Sequence, residues 1–203
     1  MPDTNVSNAY QITPPITGRV SNVPAPRSAL HPDWLDKIGV SAATIAYAQE
    51  SVRLLRGSLL ARHRDKNGHI LGWESVGAPR HEGGKPRYGY TTGACRGLYW
   101  TPLGLCTRVV VGAGPLQILQ TATREGPRAG TCYVAPGGVL NDVAEETLAE
   151  LLRRGSARQR GLIDEIVLAV GSDVQGTRTS ERIHALVGRR FPWIKVMQAE
   201  ALS

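Results

Sequence analysis

Strand-like and helix-like patterns alternate regularly between residues 108 and 197. Four apolar runs have the composition of buried strands, at residues 108–111, 131–134, 165–170 and 193–197. Helical patterns separate them, at residues 115–124, 142–154 and 180–189. Strands that alternate with helices at this spacing need right-handed crossovers and form a parallel sheet with helices on its faces. The pattern predicts an α/β fold for this part of the chain.

The ends of these helices carry recognisable signals. Pro115 suits the first turn of a helix, because its missing amide hydrogen has no partner there in any case. Asp142 followed by Glu145 predicts a capping box, with Asp142 as the N-cap residue. The other acidic candidates near these elements, Glu125 and Asp164, have structural explanations at helix or turn positions.

The first half of the chain does not show this regular alternation of strands and helices. Residues 31–39 predict a short helix closed by Gly39, and Ser41 predicts the cap of a second helix. The runs 58–62 and 69–74 flank Asp-Lys-Asn-Gly at 65–68, which predicts a β-hairpin. Residues 77–97 are rich in glycine and basic side chains and predict a loop, which ends in a strand at 98–100. Residues 1–30 are proline-rich and without periodicity, and predict a flexible arm.

The charge balance favours an anionic partner. The chain of 203 residues has a net charge of +7, and only four of its 24 basic residues are lysines. Arginine forks match phosphate geometry, so nucleic acid is the expected partner, although a solvated basic face is also compatible. Cys95, Cys106 and Cys132 have no zinc-ligand spacing and are expected to fill the core of a cytoplasmic protein. No apolar run approaches the ~20 residues that a membrane helix needs.

Two segments resemble the TOPRIM superfamily of primases, topoisomerases and related nucleases. They are Val-Val-Val-Gly-Ala-Gly-Pro-Leu-Gln at 109–117 and Ile-Val-Leu-Ala-Val-Gly-Ser-Asp-Val-Gln-Gly at 166–176. Upstream, residues 59–74 and 93–100 resemble the region that precedes TOPRIM in primase-like proteins of plasmids and integrated mobile elements. The resemblance implies a TOPRIM-like parallel-sheet domain at 107–203, preceded by a small α+β primase-like region at 31–106.

The same resemblance implies that the catalytic positions are degenerate. Family members carry a glutamate as general acid/base where this chain has Ala113, and a pair of aspartates for Mg²⁺ where it has Gly171 and Asp173. Gln117 stands where many members carry a further acid. Magnesium requires carboxylate oxygens, so Asp173 alone predicts at most a weak, residual metal site or simply a helix cap. We therefore expect no catalytic residue and no cofactor, with Mg²⁺ required only if activity remains.

Three functions follow as hypotheses. The first is a catalytically inactive protein of a mobile element that binds single-stranded or duplex DNA. Its expected contacts are the basic residues of the N-terminal region, Arg62, Arg64, Lys66, Lys85, Arg87 and Arg96. The aromatic residues expected either to stack on bases or to fill the core are Tyr88, Tyr90, Tyr99 and Trp100. The alternatives are a Mg²⁺-dependent nucleotidyl transferase or nuclease with an altered metal site, and a module that binds a host or plasmid protein.

Overall fold

The computed structural model describes residues 31–91, 96–102, 106–128, 130–158 and 163–199, without the side chains of 156–158. The predicted arm at residues 1–30 and Cys95 lie outside the described residues. Two short helices come first, α1 (Asp33–Lys37) and α2 (Ala42–Tyr47). Ser41 caps α2 as predicted, because its hydroxyl accepts a hydrogen bond from the Thr44 amide at 3.2 Å.

Five strands form an antiparallel half-sheet. They are β1 (Val52–Leu55), β2 (Ser58–Arg64), β3 (Ile70–Gly77), β4 (Arg87–Tyr90) and β5 (Leu98–Trp100). The predicted β2–β3 hairpin is confirmed. Asp65 Oδ1 organises its turn by accepting hydrogen bonds from the amides of Asn67 at 2.8 Å and His69 at 2.9 Å. Gly68 then adopts a φ of +89°, a conformation that favours glycine.

The prediction of a continuous loop over residues 77–97 is wrong at β4. This strand pairs with β3, placing Tyr88 opposite Val76 and Tyr90 opposite Glu74. The strand is not recognisable in the sequence, because glycine and basic residues precede and follow it. It is stabilised by its pairing with β3 and not by its own composition. The hairpin of β1 and β2 also lacks a recognisable turn signal in the sequence. Its tight turn consists of Arg56 and Gly57, which both have a positive φ, and arginine is not one of the residues that commonly mark such turns.

The second half contains the predicted alternation of strands and helices. Its elements are β6 (Arg108–Gly112), α3 (Pro115–Glu125), β7 (Thr131–Pro136), α4 (Asp142–Arg158), β8 (Glu165–Ala169), α5 (Val174–Arg190) and β9 (Lys195–Gln198). The four strands pair in parallel, in the order β7-β6-β8-β9. This confirms the α/β fold class with a parallel sheet.

The two halves share one sheet. Its order is β4-β3-β2-β5-β7-β6-β8-β9, with β1 attached to β2. The junction is the antiparallel pairing of β5 with β7, where Tyr99 lies opposite Ala135. One face of the parallel strands packs on α4 and α5 through residues such as Leu148 and Ile183. The other face packs on α1 and α3 through residues such as Leu119. Helices thus cover both faces of the parallel strands.

The predicted capping box at Asp142 is wrong by one residue. Asn141 is the cap, because its side-chain oxygen accepts a hydrogen bond from the Ala144 amide at 2.8 Å. Asp142 is the first residue of α4, where the positive end of the helix dipole stabilises its carboxylate. Its oxygen accepts a hydrogen bond from Arg182 of α5 at 2.6 Å. No helix in the described ranges has both the length and the apolar character needed to cross a bilayer.

Candidate functional site

The loops that follow β6, β7 and β8 meet at one edge of the parallel sheet, which we call the strand-end corner. Sites in such sheets form at the carboxyl ends of the strands. Ala113 lies directly after β6, and its amide donates a hydrogen bond to Gln117 Oε1 at 2.8 Å. The Gln117 side chain therefore holds the first loop in place instead of presenting a ligand atom.

Asp173 is the carboxylate that follows β8, and it caps α5. Its Oδ1 accepts a hydrogen bond from the Gly176 amide at 2.7 Å, while the residue remains exposed. Gly171 carries no side-chain ligand atom, although a Cβ built there would meet nothing closer than the Asp173 amide nitrogen at 3.9 Å. The described residues contain no group of three or more His, Cys, Asp or Glu side chains placed to hold a metal. This donor set does not fit Mg²⁺, which takes several oxygen ligands.

Glu125, at the carboxyl end of α3, is engaged in an ion pair away from this edge. Glu125 receives two hydrogen bonds from Arg108, at 2.8 and 3.1 Å, and a third from the Tyr133 hydroxyl at 3.0 Å. Burial raises the pKa of Glu125, but the Arg108 hydrogen bonds and charge outweigh it, so the net shift is downward. Arg108 also contacts Glu165 at 3.4 Å. These contacts lie at the amino end of β6, so Glu125 does not replace the missing acids.

A cluster of arginines lies on the outer face of the antiparallel half-sheet. Strand alternation turns Leu59, Ala61 and His63 of β2 inward and leaves Arg62 and Arg64 on the opposite side. The register places Arg62 opposite Trp73 of β3.

Two tryptophans support these side chains. The guanidinium carbons of Arg53 and Arg62 lie 5.3 and 5.1 Å from the Trp73 ring centre, and that of Arg64 lies 4.8 Å from the Trp100 ring centre. These distances are typical of cation–π contacts. We call this set, Arg53, Arg62, Arg64, Trp73 and Trp100, the arginine face.

Among the described residues, the arginine face has no directly paired carboxylate, although the charge of Glu50 acts on Arg62 and Arg64 from a distance. Within the described part of the chain, Arg53, Arg62 and Arg64 form no ion pair. Arg64 instead donates to the backbone oxygen of Glu50 at 3.0 Å, and the buried Nε of Arg62 has no hydrogen-bond partner. Burial, followed by the charge of Arg53, lowers the pKa of Arg62. Burial, followed by the charge of Arg62, lowers that of Arg64. Such a cluster is suited to an anionic ligand.

The remaining predicted basic residues are dispersed. Arg87 lies at the edge of the same face, where it donates to the Ala78 oxygen at 2.9 Å. Lys66 lies at the hairpin tip beside α4, in a pocket of about 300 Å³ that Asp142 and Glu146 also line. Lys85 is exposed in the turn before β4. The structure thus brings together Arg62 and Arg64, whereas Arg87 lies farther along the same face, opposite Gly77, and Lys66 lies outside it.

Arg96 belongs to a different arrangement, next to a buried hydrogen-bond network. Its guanidinium lies 4.7 Å from the Tyr90 ring centre and donates to the Gly137 oxygen at 3.2 Å. Glu74 Oε2 accepts from the Tyr90 hydroxyl at 2.5 Å and lies 3.1 Å from His63 Nε2. Burial, then this contact with Glu74, raises the pKa of Tyr90. The network joins β2, β3 and β4 to the loop after β7, a structural role.

Sequence reasoning missed two central residues, Arg53 and Trp73. A regular hairpin with its turn at residues 65–68 would place Leu71 opposite Arg62. In the structure the partner is Trp73, with an irregularity between His63 and Arg64, and the sequence carries no signal for this shift. Of the predicted stacking residues, Tyr99 is fully buried and cannot reach a base. Tyr88 is 61% exposed, and Trp100 lies beneath Arg64.

Two solved primase structures resemble this chain over most of its length. The primase fragment of the bacteriophage T7 primase-helicase protein is 19% identical with a TM-score of 0.51, over 82% of this chain and 64% of that one. The Aquifex aeolicus primase, with its zinc-binding and RNA polymerase domains, is 12% identical with a TM-score of 0.50, over 82% of this chain and 48% of that one. This is a primase-like TOPRIM fold. At these identities the likeness concerns the fold alone. No protein-family model and no curated protein matches the chain.

Proposed function

We propose that this primase-like protein is catalytically inactive and binds nucleic acid through the arginine face. The observation that carries the proposal is the group of Arg53, Arg62 and Arg64, which two tryptophans support and which forms no ion pair in the described residues. Arginine is the side chain best suited to phosphate, because its planar fork donates two parallel hydrogen bonds. Phosphate contacts of this kind provide affinity and orientation without reading sequence.

The inactivity part of the proposal rests on the strand-end corner. Ala113 and Gly171 carry no ionisable group, Gln117 binds the Ala113 amide, and Asp173 caps α5. A positioned acid or base contributes about 10²–10⁴-fold to a reaction, and the position that the resemblance assigns to this group is Ala113 here. The proposed setting is a plasmid or integrated mobile element, for which the upstream sequence resemblance is the support.

Fluorescence anisotropy with a labelled single strand and the matching duplex tests the binding. We expect affinity to fall with rising salt, with a slope of about −2 in log K against log salt if three phosphates of a single strand are neutralised. Arg62→Gln and Arg64→Gln are each expected to reduce the slope by about 0.7. Arg178→Gln is the matched control, because this exposed arginine lies on α5, away from the arginine face.

The same samples test inactivity when they are supplied with Mg²⁺ or Mn²⁺ and nucleotides. We expect neither primer synthesis nor cleavage of the labelled strand. Binding that is independent of salt, or equally salt-dependent in all variants, would remove the arginine face as the interface. Metal-dependent product formation that Asp173→Ala abolishes would instead establish an enzyme with an altered metal site.

A further inference from the structure

A half-open pocket of about 950 Å³ lies beside Trp73 on the arginine face. Its lining includes Leu54, Leu55, Leu60 and Ser75 as well as Arg53 and Trp73. This volume is in the range of pockets that hold small organic ligands, which are also mostly apolar with a few polar groups. Leu55 is 56% exposed within it and adds apolar surface to the wall of the pocket. The surface thus combines apolar walls with a cationic rim.

The apolar walls and the cationic rim together limit the kinds of ligand that fit this pocket. The ligand needs an apolar, flat portion for the pocket and an anionic portion for the neighbouring arginines. An unpaired nucleotide has both, because every base has a π-face and each is joined to a phosphate. In a duplex the bases are stacked and paired inside the helix, so only phosphates and groove edges reach a protein surface. An acidic peptide supplies the charge but does not make use of the planar Arg and Trp surfaces.

We propose that this pocket holds an unstacked base of a single-stranded nucleic acid, whose flanking phosphates bind Arg53 and Arg62. The inference rests on the proposed nucleic-acid binding and adds the class of ligand and the position of the base. None of the pocket residues belongs to the strand-end corner, so binding here is independent of any metal. Ser75 and Thr91 also line the pocket, and a hydroxyl group can accept or donate a hydrogen bond at a base edge.

Trp73 has a double role in this arrangement. Its ring forms one wall of the pocket, and Arg53 and Arg62 lie 5.3 and 5.1 Å from its centre. The two guanidinium groups are therefore held beside the pocket before a ligand arrives. Holding binding groups in place in advance reduces the entropy that is lost on association. The phosphate contacts and the base contact are consequently coupled through one side chain.

The decisive comparison uses two strands of equal length and charge, one intact and one abasic. We expect the intact strand to bind at least about 5-fold more tightly, since stacking of a base on an aromatic side chain has this order of effect. Trp73→Leu is expected to weaken both strands, because it removes the support of Arg53 and Arg62, but to weaken the intact strand more, so that the difference between the two strands disappears. Trp193→Leu is the matched control, because Trp193 is also exposed (57%) but lies after α5.

Photo-cross-linking provides a second measurement that does not depend on a variant. A single strand that carries 5-iodouracil is expected to label the tryptic peptide of residues 67–80, in which Trp73 is the only Trp, Tyr or Phe. The control peptide of residues 191–195 contains Trp193 and is expected to remain unlabelled. Labelling of the control peptide alone would place the base elsewhere and overturn the inference.

The outcomes separate this inference from the proposed function. Salt-dependent binding with equal affinity for intact and abasic strands leaves the arginine face as an interface and overturns the base pocket. Absence of binding to every strand removes both proposals. If Trp73→Leu weakens intact and abasic strands equally, Trp73 acts only by positioning the arginines, and the base pocket is overturned. Displacement of the strand by polyglutamate at matched charge concentration indicates an acidic protein segment as the ligand, and also overturns the inference.

Discussion

Asp173 and Gln117 both direct their side chains to the local backbone of the strand-end corner. Asp173 accepts the Gly176 amide hydrogen bond, and Gln117 accepts that of Ala113. Each contact uses a polar atom that a metal site would need. At the scale of single residues, the corner is therefore organised for loop geometry, and the sequence alone left the choice between a cap and a residual cation role at Asp173 open.

Two substitutions at Asp173 distinguish these roles. Asparagine is as good an N-cap as aspartate, so Asp173→Asn is expected to keep the free energy of unfolding near that of the wild type. Asp173→Ala removes the cap and is expected to cost about 1 kcal/mol. Urea unfolding with and without Mg²⁺ measures both. Stabilisation of the wild type by Mg²⁺ that disappears in Asp173→Asn would show a cation role instead.

At the scale of elements, Arg108 connects three of them. It lies at the start of β6 and contacts Glu125 at the end of α3 and Glu165 at the start of β8. The pair with Glu125 is bidentate and partly shielded from solvent, since their side chains are 19% and 14% exposed. Such a pair contributes more than an exposed one, because water and salt screen it less. It anchors the carboxyl end of α3 to the sheet.

The lowered pKa of Glu125 gives this anchor a pH dependence. The folded-state pKa lies below the unfolded value, so the carboxylate stabilises the native state above the unfolded pKa. That contribution is lost as pH falls through the folded pKa. Glu125→Gln is expected to unfold about 1–2 kcal/mol more easily at neutral pH and to show a shallower loss of stability in acid. Chemical denaturation across the acid range measures this, with the exposed Glu181→Gln as control. Parallel acid profiles for wild type and Glu125→Gln would contradict it.

The sequence predicts those elements whose signals are local. Periodicity predicts the parallel strands and their helices, and the turn residues at 65–68 predict the β2–β3 hairpin. Strand β4 and the position of Trp73 depend instead on pairing between distant segments, which single-sequence patterns do not contain. The same limit applies to the site. Arg62 and Arg64 are recognisable as basic residues, but their grouping with Arg53 depends on the register of three strands.

At the scale of the whole molecule, one sheet passes through both halves of the chain. The two regions that the sequence separates at residue 106 share the pairing of β5 with β7, in which Trp100 lies opposite Val134. Val110 and Tyr133 of the parallel half pack in the same cluster as Leu59 and Val76 of the antiparallel half. Continuous strand pairing and a shared core favour cooperative unfolding.

We therefore expect a single unfolding transition. Three of the four tryptophans, Trp34, Trp73 and Trp100, lie in the first half, so fluorescence of a Trp193→Phe variant reports on that half alone. The three long helices α3, α4 and α5 lie in the second half and dominate the helical circular dichroism signal. The two signals are expected to give the same urea midpoint. Clearly separated midpoints would show that the halves are independent domains.

The glycines of the strand-end corner differ in what they permit. A side chain at Gly176 is blocked, because its Cβ would lie 1.8 Å from the Gly171 oxygen. Gly171 has open space around it and no positive φ. The backbone at Gly171 therefore does not require glycine, so the fold does not prevent an acidic residue at this edge of the sheet. For protein engineering, Gly171 is a place where a Cβ meets no clash, so it is a suitable first position for installing a carboxylate and building a metal centre stepwise, following what each ligand adds.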